Sequence, residues 1–164
     1  SGRFFLCAIF ARLFLKKMIQ LPLLEHSIKT RGEGEQTEVW DSIRKAWIKL
    51  TPEEHVRQLL LQHFVEIKGY PASLIAVERS VQYGETRLRF DIAVFHRDNF
   101  QPWLLAECKA PDVPIDETVL QQLLQYHNKL PNCSFWLITN GHQSFCADAR
   151  DKANILWMDR LPAY

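Results

Sequence analysis

The chain has no apolar run long enough to span a bilayer. Its most hydrophobic stretch, residues 4–15 (FFLCAIFARLFL), is too short and contains Arg12. It has no dominant sign of charge: the formal net charge is +1, so composition alone points neither to nucleic acid nor to a membrane surface, and any such reading must rest on a local site. It has no C-x-x-C spacing; Cys7, Cys108, Cys133 and Cys146 are scattered, and the six histidines form no zinc pattern with them. Reduced thiols in a cytoplasmic protein are the expectation. Glycine is scarce, at six residues, and no Walker-type phosphate loop occurs, which excludes an ATP-driven motor within these residues. Internal repeats and low-complexity tracts are absent too.

What is present is an ordinary globular composition, 47% hydrophobic and 24% charged, over 164 residues, enough for one domain with its own core. Residues 1–38 read as an N-terminal extension and linker ahead of a domain over 39–164. Lys16 and Lys17 follow the apolar run rather than precede it, which fits a secretory signal poorly, and Met18 comes next. Residues 1–17 are therefore expected to be a non-native upstream segment, with a helix covering an apolar patch as the alternative. The polar, glycine-containing stretch 27–38 reads as loop.

Residues 39–50 (VWDSIRKAWIKL) suit strand or helix equally. The next segment, TPEEHVRQLLLQHFVEIKGYP, starts as a helix should: Thr51 at the N-cap, Pro52 in the first turn and a glutamate three residues after the cap. Val56, Leu59, Leu60, Phe64 and Ile67 recur at helical spacing, and Gly69 with Pro71 ends it. Strands are expected over 74–81 and 86–96; in the latter, alternation puts Leu88, Phe90, Ile92 and Val94 on one face and Arg87, Arg89 and Asp91 on the other. WLLAECKA (103–110) reads as a third strand, 115–129 as a helix, and SFWLIT, SFCADA and NILWMD as further strands.

The chemistry lies in the middle strands. Glu107 and Lys109, two apart, share a face of an otherwise apolar strand, and Asp91 sits on the strand before it. Buried charges are costly unless they pair or bind something. Two carboxylates on neighbouring strands repel unless a cation lies between them, and hard oxygen donors with room for water and phosphate suit Mg²⁺. A lysine beside such an ion can orient a water and offset charge on phosphate. E-x-K alone is weak, arising by chance in about every second or third chain of this size. Glu66-Ile67-Lys68 is a second copy at a helix end, and an ion pair between Glu107 and Lys109 explains the strand copy equally well. On the first helix the capping box takes Glu54 back to Thr51, leaving Glu53 near the apolar face without a local partner. Gln122 and Tyr126, one turn apart, present an amide and a phenol to one groove.

Taken together, an acid, a sixteen-residue spacer, E-x-K in strands, an acid-bearing helix before and a Q-x-x-x-Y helix after resemble the PD-(D/E)xK nuclease superfamily. VWDSIRKAWIKLTPEEHVRQ, RLRFDIAVF, LLAECKAP, QQLLQYHNKL and LITNG are similar to the N-terminal nuclease domain of type I restriction enzyme R proteins, in its short stand-alone form, over about residues 39–145. The resemblance implies an α/β (α+β) restriction-endonuclease-like fold, an αβββαβ core with a mixed central sheet flanked by helices. It implies Mg²⁺-dependent DNA cleavage, with Mn²⁺ able to substitute. Asp91, Glu107, Glu53 and the backbone carbonyl of Cys108 correspond to the metal ligands and Lys109 to the catalytic lysine, with Gln122 and Tyr126 beside them. Arg57, Arg87 and Arg89 are the expected DNA contacts. Phe90 stands where the superfamily's proline would be. The implied partner is DNA, with a second protein or a second copy of the chain also open, and no membrane. A catalytically silent binding or assembly module with the same fold, and a structural domain with buried ion pairs, are the competing readings.

Overall fold

In this computed structural model the described residues are 17–120, 123, 129–130, 132–151 and 155–164. A six-stranded mixed sheet forms the centre: β4 (Ile75–Tyr83), β5 (Thr86–Phe95), β6 (Pro102–Cys108), β7 (Phe135–Thr139), β8 (Ser144–Asp148) and β9 (Leu156–Trp157), in that spatial order. Only β6 and β7 run parallel; the other neighbours are antiparallel. A parallel pair needs a crossover, and the connection between them is helical at 117–120, 123 and 129. Helix α1 (Pro52–Gln62) covers one face and the crossover the other, which gives the expected αβββαβ order.

Each face buries its own core. Val56, Leu59, Leu60 and Phe64 of α1 pack with Val77, Ile92, Val94, Leu104, Ala106, Cys108 and Leu137. Leu120, Leu123 and Leu130 pack with Phe90, Ala93, Leu105, Trp136 and Ile138 on the other side. Side chains on β6 and β7 alternate between the two cores, as a strand buried on both faces requires. In β5 the expected single face is split: Leu88 and Phe90 join the crossover core, whereas Ile92 and Val94 join the α1 core. The phase changes at Asp91, where Glu78 on β4 takes φ +51 and the two drop out of the ladder between the pairs Val77↔Ile92 and Arg79↔Phe90.

Residues 39–50 resolve as a hairpin. Strands β2 (Glu38–Asp41) and β3 (Ala46–Lys49) pair in register Trp40↔Trp47, and β1 (Thr30–Arg31) adds to β2. Period two decides the matter, since it alone puts Val39 and Asp41 together on the buried side. Residues 27–38 are thus not simply a loop. Nor is the segment before them a free linker: Ile19 and Leu23 are buried in the α1 core, and the Ile19 amide donates to the Ser144 carbonyl at 2.9 Å.

α1 starts as expected, with Thr51 Oγ1 accepting from the Glu54 amide at 3.1 Å and Pro52 in the first turn. Its end differs. A π-helical turn, His63–Ile67, widens the last turn, which swings Ile67 out to 62% exposure instead of continuing the apolar stripe. The turn also places His63, buried, against His26 of the N-terminal arm, ring nitrogens 3.1 Å apart. Among the described residues no helix is long and apolar enough to cross a membrane.

Candidate active site

The site lies where β5 and β6 part. Their last ladder pair on this side is Ile92↔Ala106, so Asp91 and Glu107 are the next two positions in register. Instead of continuing the ladder, Asp91 accepts the Cys108 amide through Oδ2 at 2.6 Å, which holds the strands together while turning their backbones apart. Glu107 and Lys109 share a face as the sequence requires, with Lys109 Nζ 2.7 Å from Glu107 Oε1. This is the ion pair that the structural reading anticipates.

Burial raises the Glu107 pKa, and the nearby charges of Asp91 and Glu53 raise it further against the pull of Lys109. The three acids therefore share one electrostatic environment. Burial by itself lowers the pKa of Lys109, but its bond to Glu107 outweighs this and the net shift is upward. Its ammonium stays charged at neutral pH, which suits it to hold a water or a phosphate oxygen rather than to remove a proton. The Cys108 thiol, fully buried and facing Asp91, is held well above its usual pKa, so only its backbone is chemically available.

On α1 Glu54, not Glu53, is the glutamate turned into the core. The capping box is only half made: the Glu54 carboxylate does not return to Thr51 but turns inward, 4% exposed, and bonds Arg44, Arg57 and Gln58. Glu53 stays at the rim, its side chain 46% exposed, 3.0 Å from Arg57. The helical step explains it, because Glu54, Arg57 and Gln58 form one i, i+3, i+4 face turned to the sheet.

Arg57 corrects a second expectation. It is 4% exposed and surrounded by carboxylates: Asp91 at 2.7 Å, Glu53 at 3.0 Å, Glu54 in direct contact and Glu78 at 3.8 Å. Burial opposes its charge, but Asp91 and Glu54 outweigh burial and raise its pKa. It is an internal counter-ion and offers nothing to a DNA phosphate. Arg87 and Arg89 are exposed, and Arg89 donates to Glu78 at 2.8 Å. Gln122 and Tyr126 lie outside the described residues.

Sequence reasoning passed over three members of this network, Asp41, Arg44 and Glu78. Asp41, fully buried, accepts the amides of Ile43 and Arg44 and the side chains of Arg44 and Gln58. Arg44 bridges on to Glu54 and, at 2.7 Å, to Glu78. The available signals were Asp41 two residues from Val39 on a core face, and Glu78 inside the apolar run LIAVERSV. Arg44, in a turn, had none. The network joins five carboxylates (Asp41, Glu53, Glu54, Glu78, Asp91) to three guanidiniums (Arg44, Arg57, Arg89), leaving an excess of negative charge.

These donors match a hard divalent cation in kind, being carboxylate oxygens under mutual repulsion. Their arrangement is not yet that of a coordination sphere. Among the described residues no three His, Cys, Asp or Glu side chains converge at ligand spacing, because both oxygens of Asp91 are engaged and Glu107 is held by Lys109.

No curated protein matches the chain. A solved structure, described as a fragment of an HsdR subunit of a type I restriction enzyme from Vibrio vulnificus YJ016, is similar over 63% of this chain, at 20% identity and a TM-score of 0.44. The match takes in 22% of that chain, so this sequence spans well under half of that relative. Residues 52–162, from the first residue of α1 to the C-terminal segment and including Glu53, Glu54, Arg57, Asp91, Glu107 and Lys109, match the family described as the type I restriction enzyme R protein N terminus, and the chain belongs to that family.

Proposed function

We propose that the domain is a Mg²⁺-dependent deoxyribonuclease, acting in the cytoplasm on DNA. The observation that carries the proposal is the in-register pair Asp91 and Glu107 at the parting of β5 and β6, with Lys109 beside it, in a chain of this family. Asp91, Glu107 and the Cys108 carbonyl would hold the ion, with Glu53 at the rim. Bound there, it would supply a polarised water and charge stabilisation on the scissile phosphate. The chain's own residues do the rest. Lys109, charged, orients the attacking water and offsets charge on the phosphate. Arg57 keeps Asp91 and Glu54 compact, and its bond to Asp91 Oδ1 is the one that an ion held there would replace.

The test is cleavage of linear, circular and single-stranded DNA in Mg²⁺ and in Mn²⁺, run with Asp91→Asn and Lys109→Ala beside the parent. Loss of a positioned acid–base or charge-stabilising group costs about 10²–10⁴ in rate. Both variants should therefore fall at least a hundredfold while melting close to the parent. Undiminished cleavage in both refutes the assignment.

A second reading has one observation in its favour. Lys109 is bonded to Glu107 and Asp91 is capped, so the network satisfies itself without a metal. Calorimetric titration with Mn²⁺ separates the two, since a structural or purely binding module shows no heat that Asp91→Asn abolishes.

A further inference from the structure

The outer half of the β4–β5 hairpin is tied to the rest of the fold only near its base, where Phe90 and Leu88 pack in the crossover core. β6 pairs with β5 only from Ile92 to Phe95, so residues 79–83 and 86–90 pair with each other alone. They close through the turn at Gly84, φ +58. Among the described side chains of residues 78–89 none is buried, and only Glu78 and Leu88 are even half-buried. Five residues at about 3.4 Å each make a free ribbon of about 17 Å.

Its two faces differ. Cross-strand pairs lie on one face, so Ser80 with Arg89 and Gln82 with Arg87 make a wholly polar side. Arg89 is bonded to Glu78, which lies 3.8 Å from the Arg57 that holds Asp91, so this polar side leads on to the acid at the base of the ribbon. In an almost neutral protein, residues 79–89 hold three arginines against one glutamate. Arg87 has no ion-pair partner among the described residues, Arg89 is tied to Glu78, and Gln82 Nε2 donates only to the Gly84 carbonyl at 3.2 Å.

We infer that this ribbon is a duplex-DNA reader whose Ser80–Gln82–Arg87–Arg89 face enters the major groove; the inference rests on the nuclease reading and specifies its substrate. The groove of B-form DNA, about 12 Å wide, admits a two-stranded ribbon. The side chains are those that bond base edges there: arginine to guanine, glutamine to adenine, serine to either. A-form RNA is the wrong partner, because its major groove is too deep and narrow for side chains to read. Single strands offer no groove, and the described side chains of this face include no aromatic ring on which bases could stack.

The experiment is fluorescence anisotropy with a labelled DNA duplex, the RNA duplex of the same sequence and the single DNA strand, in EDTA and again in Ca²⁺. It uses the parent, Arg87→Gln, the combined Ser80→Ala/Gln82→Ala/Arg87→Gln variant, and Arg160→Gln as an exposed control at the far end of the chain. The parent should bind the DNA duplex at least tenfold more tightly than either other probe. Arg87→Gln should weaken it about tenfold, the combined variant further, and the control not at all. Circular dichroism melts should stay unchanged, since these side chains are exposed. Absence of duplex binding in both buffers, equal binding of the RNA duplex, or parental affinity in the combined variant overturns the inference. Failure here is separable from failure of the nuclease reading: ribbon-dependent binding without cleavage defeats only the latter, and cleavage with indifferent ribbon variants only the former.

Discussion

Replacing Arg57 with methionine removes the one cation shared by Glu54, Asp91 and Glu53 while roughly keeping its volume. The contact to Glu53 contributes little, about 0.5 kcal/mol or less, because that carboxylate is 46% exposed. Glu54 and Asp91 are different, with side chains only 5% and 15% exposed. Glu54 keeps Arg44 and Gln58, but Asp91 loses its cation, and breaking a buried pair from one side costs about 3–5 kcal/mol. Against a total stability of about 5–15 kcal/mol for a single domain, that is a large share. The loss should also depend on pH with a definite sign. An orphaned buried carboxylate has its folded pKa raised above the unfolded value, so the folded variant takes up a proton first and regains stability as pH falls. Urea unfolding of parent and variant at pH 7 and pH 5 measures both quantities, and the parent at each pH removes contributions common to the two proteins. The expected penalty is about 3–5 kcal/mol at pH 7 and at least ~1 kcal/mol smaller at pH 5. Arg57→Met with Asp91→Asn should recover about 1 kcal/mol or more relative to Arg57→Met alone. A penalty below about 1 kcal/mol at pH 7, or one indifferent to pH, refutes the view of Arg57 as the network's counter-ion.

Two further outcomes follow from the core. Burial, with His26 and Lys68 adding repulsion, lowers the His63 pKa from 6.5 to about 4, so the unfolded chain takes the proton first. The stability this gives is complete above pH 6.5 and drains away as pH falls toward 4, by up to about 3 kcal/mol; an unfolding series over that range should show the slope in the parent and lose it in His63→Leu. Leu137, fully buried in β7 between the parallel and antiparallel pairings, should cost about 2–5 kcal/mol as Leu137→Ala, read as a drop in the urea midpoint at constant slope.

The elements with a strong local signal were legible in the residues alone. Thr51 and Pro52 start α1 whatever surrounds them, because capping and a missing amide donor are local effects. The strands carrying Asp91 and Glu107 were legible as strands, the first by alternation and the second by its length and flanking turn residues, though the face change at Asp91 was not. The pairing of Glu107 with Lys109 was legible as well, since it needs only a two-residue step along one strand. The hairpin at 38–49 was not legible, because tryptophan and isoleucine suit helix and strand alike until Asp41 must be buried beside Val39. The inward turn of Glu54 was hidden too: the capping box and the inward ion pair are both good solutions for one glutamate, and Arg44, ten residues away in a turn, favours the second. The same holds for Arg57, which a sequence shows as a cation and the fold shows as a counter-ion. The sequence by itself determined which groups could do chemistry; only the tertiary structure decided which of them face one another, because a buried charge takes whatever partner long-range packing brings within reach.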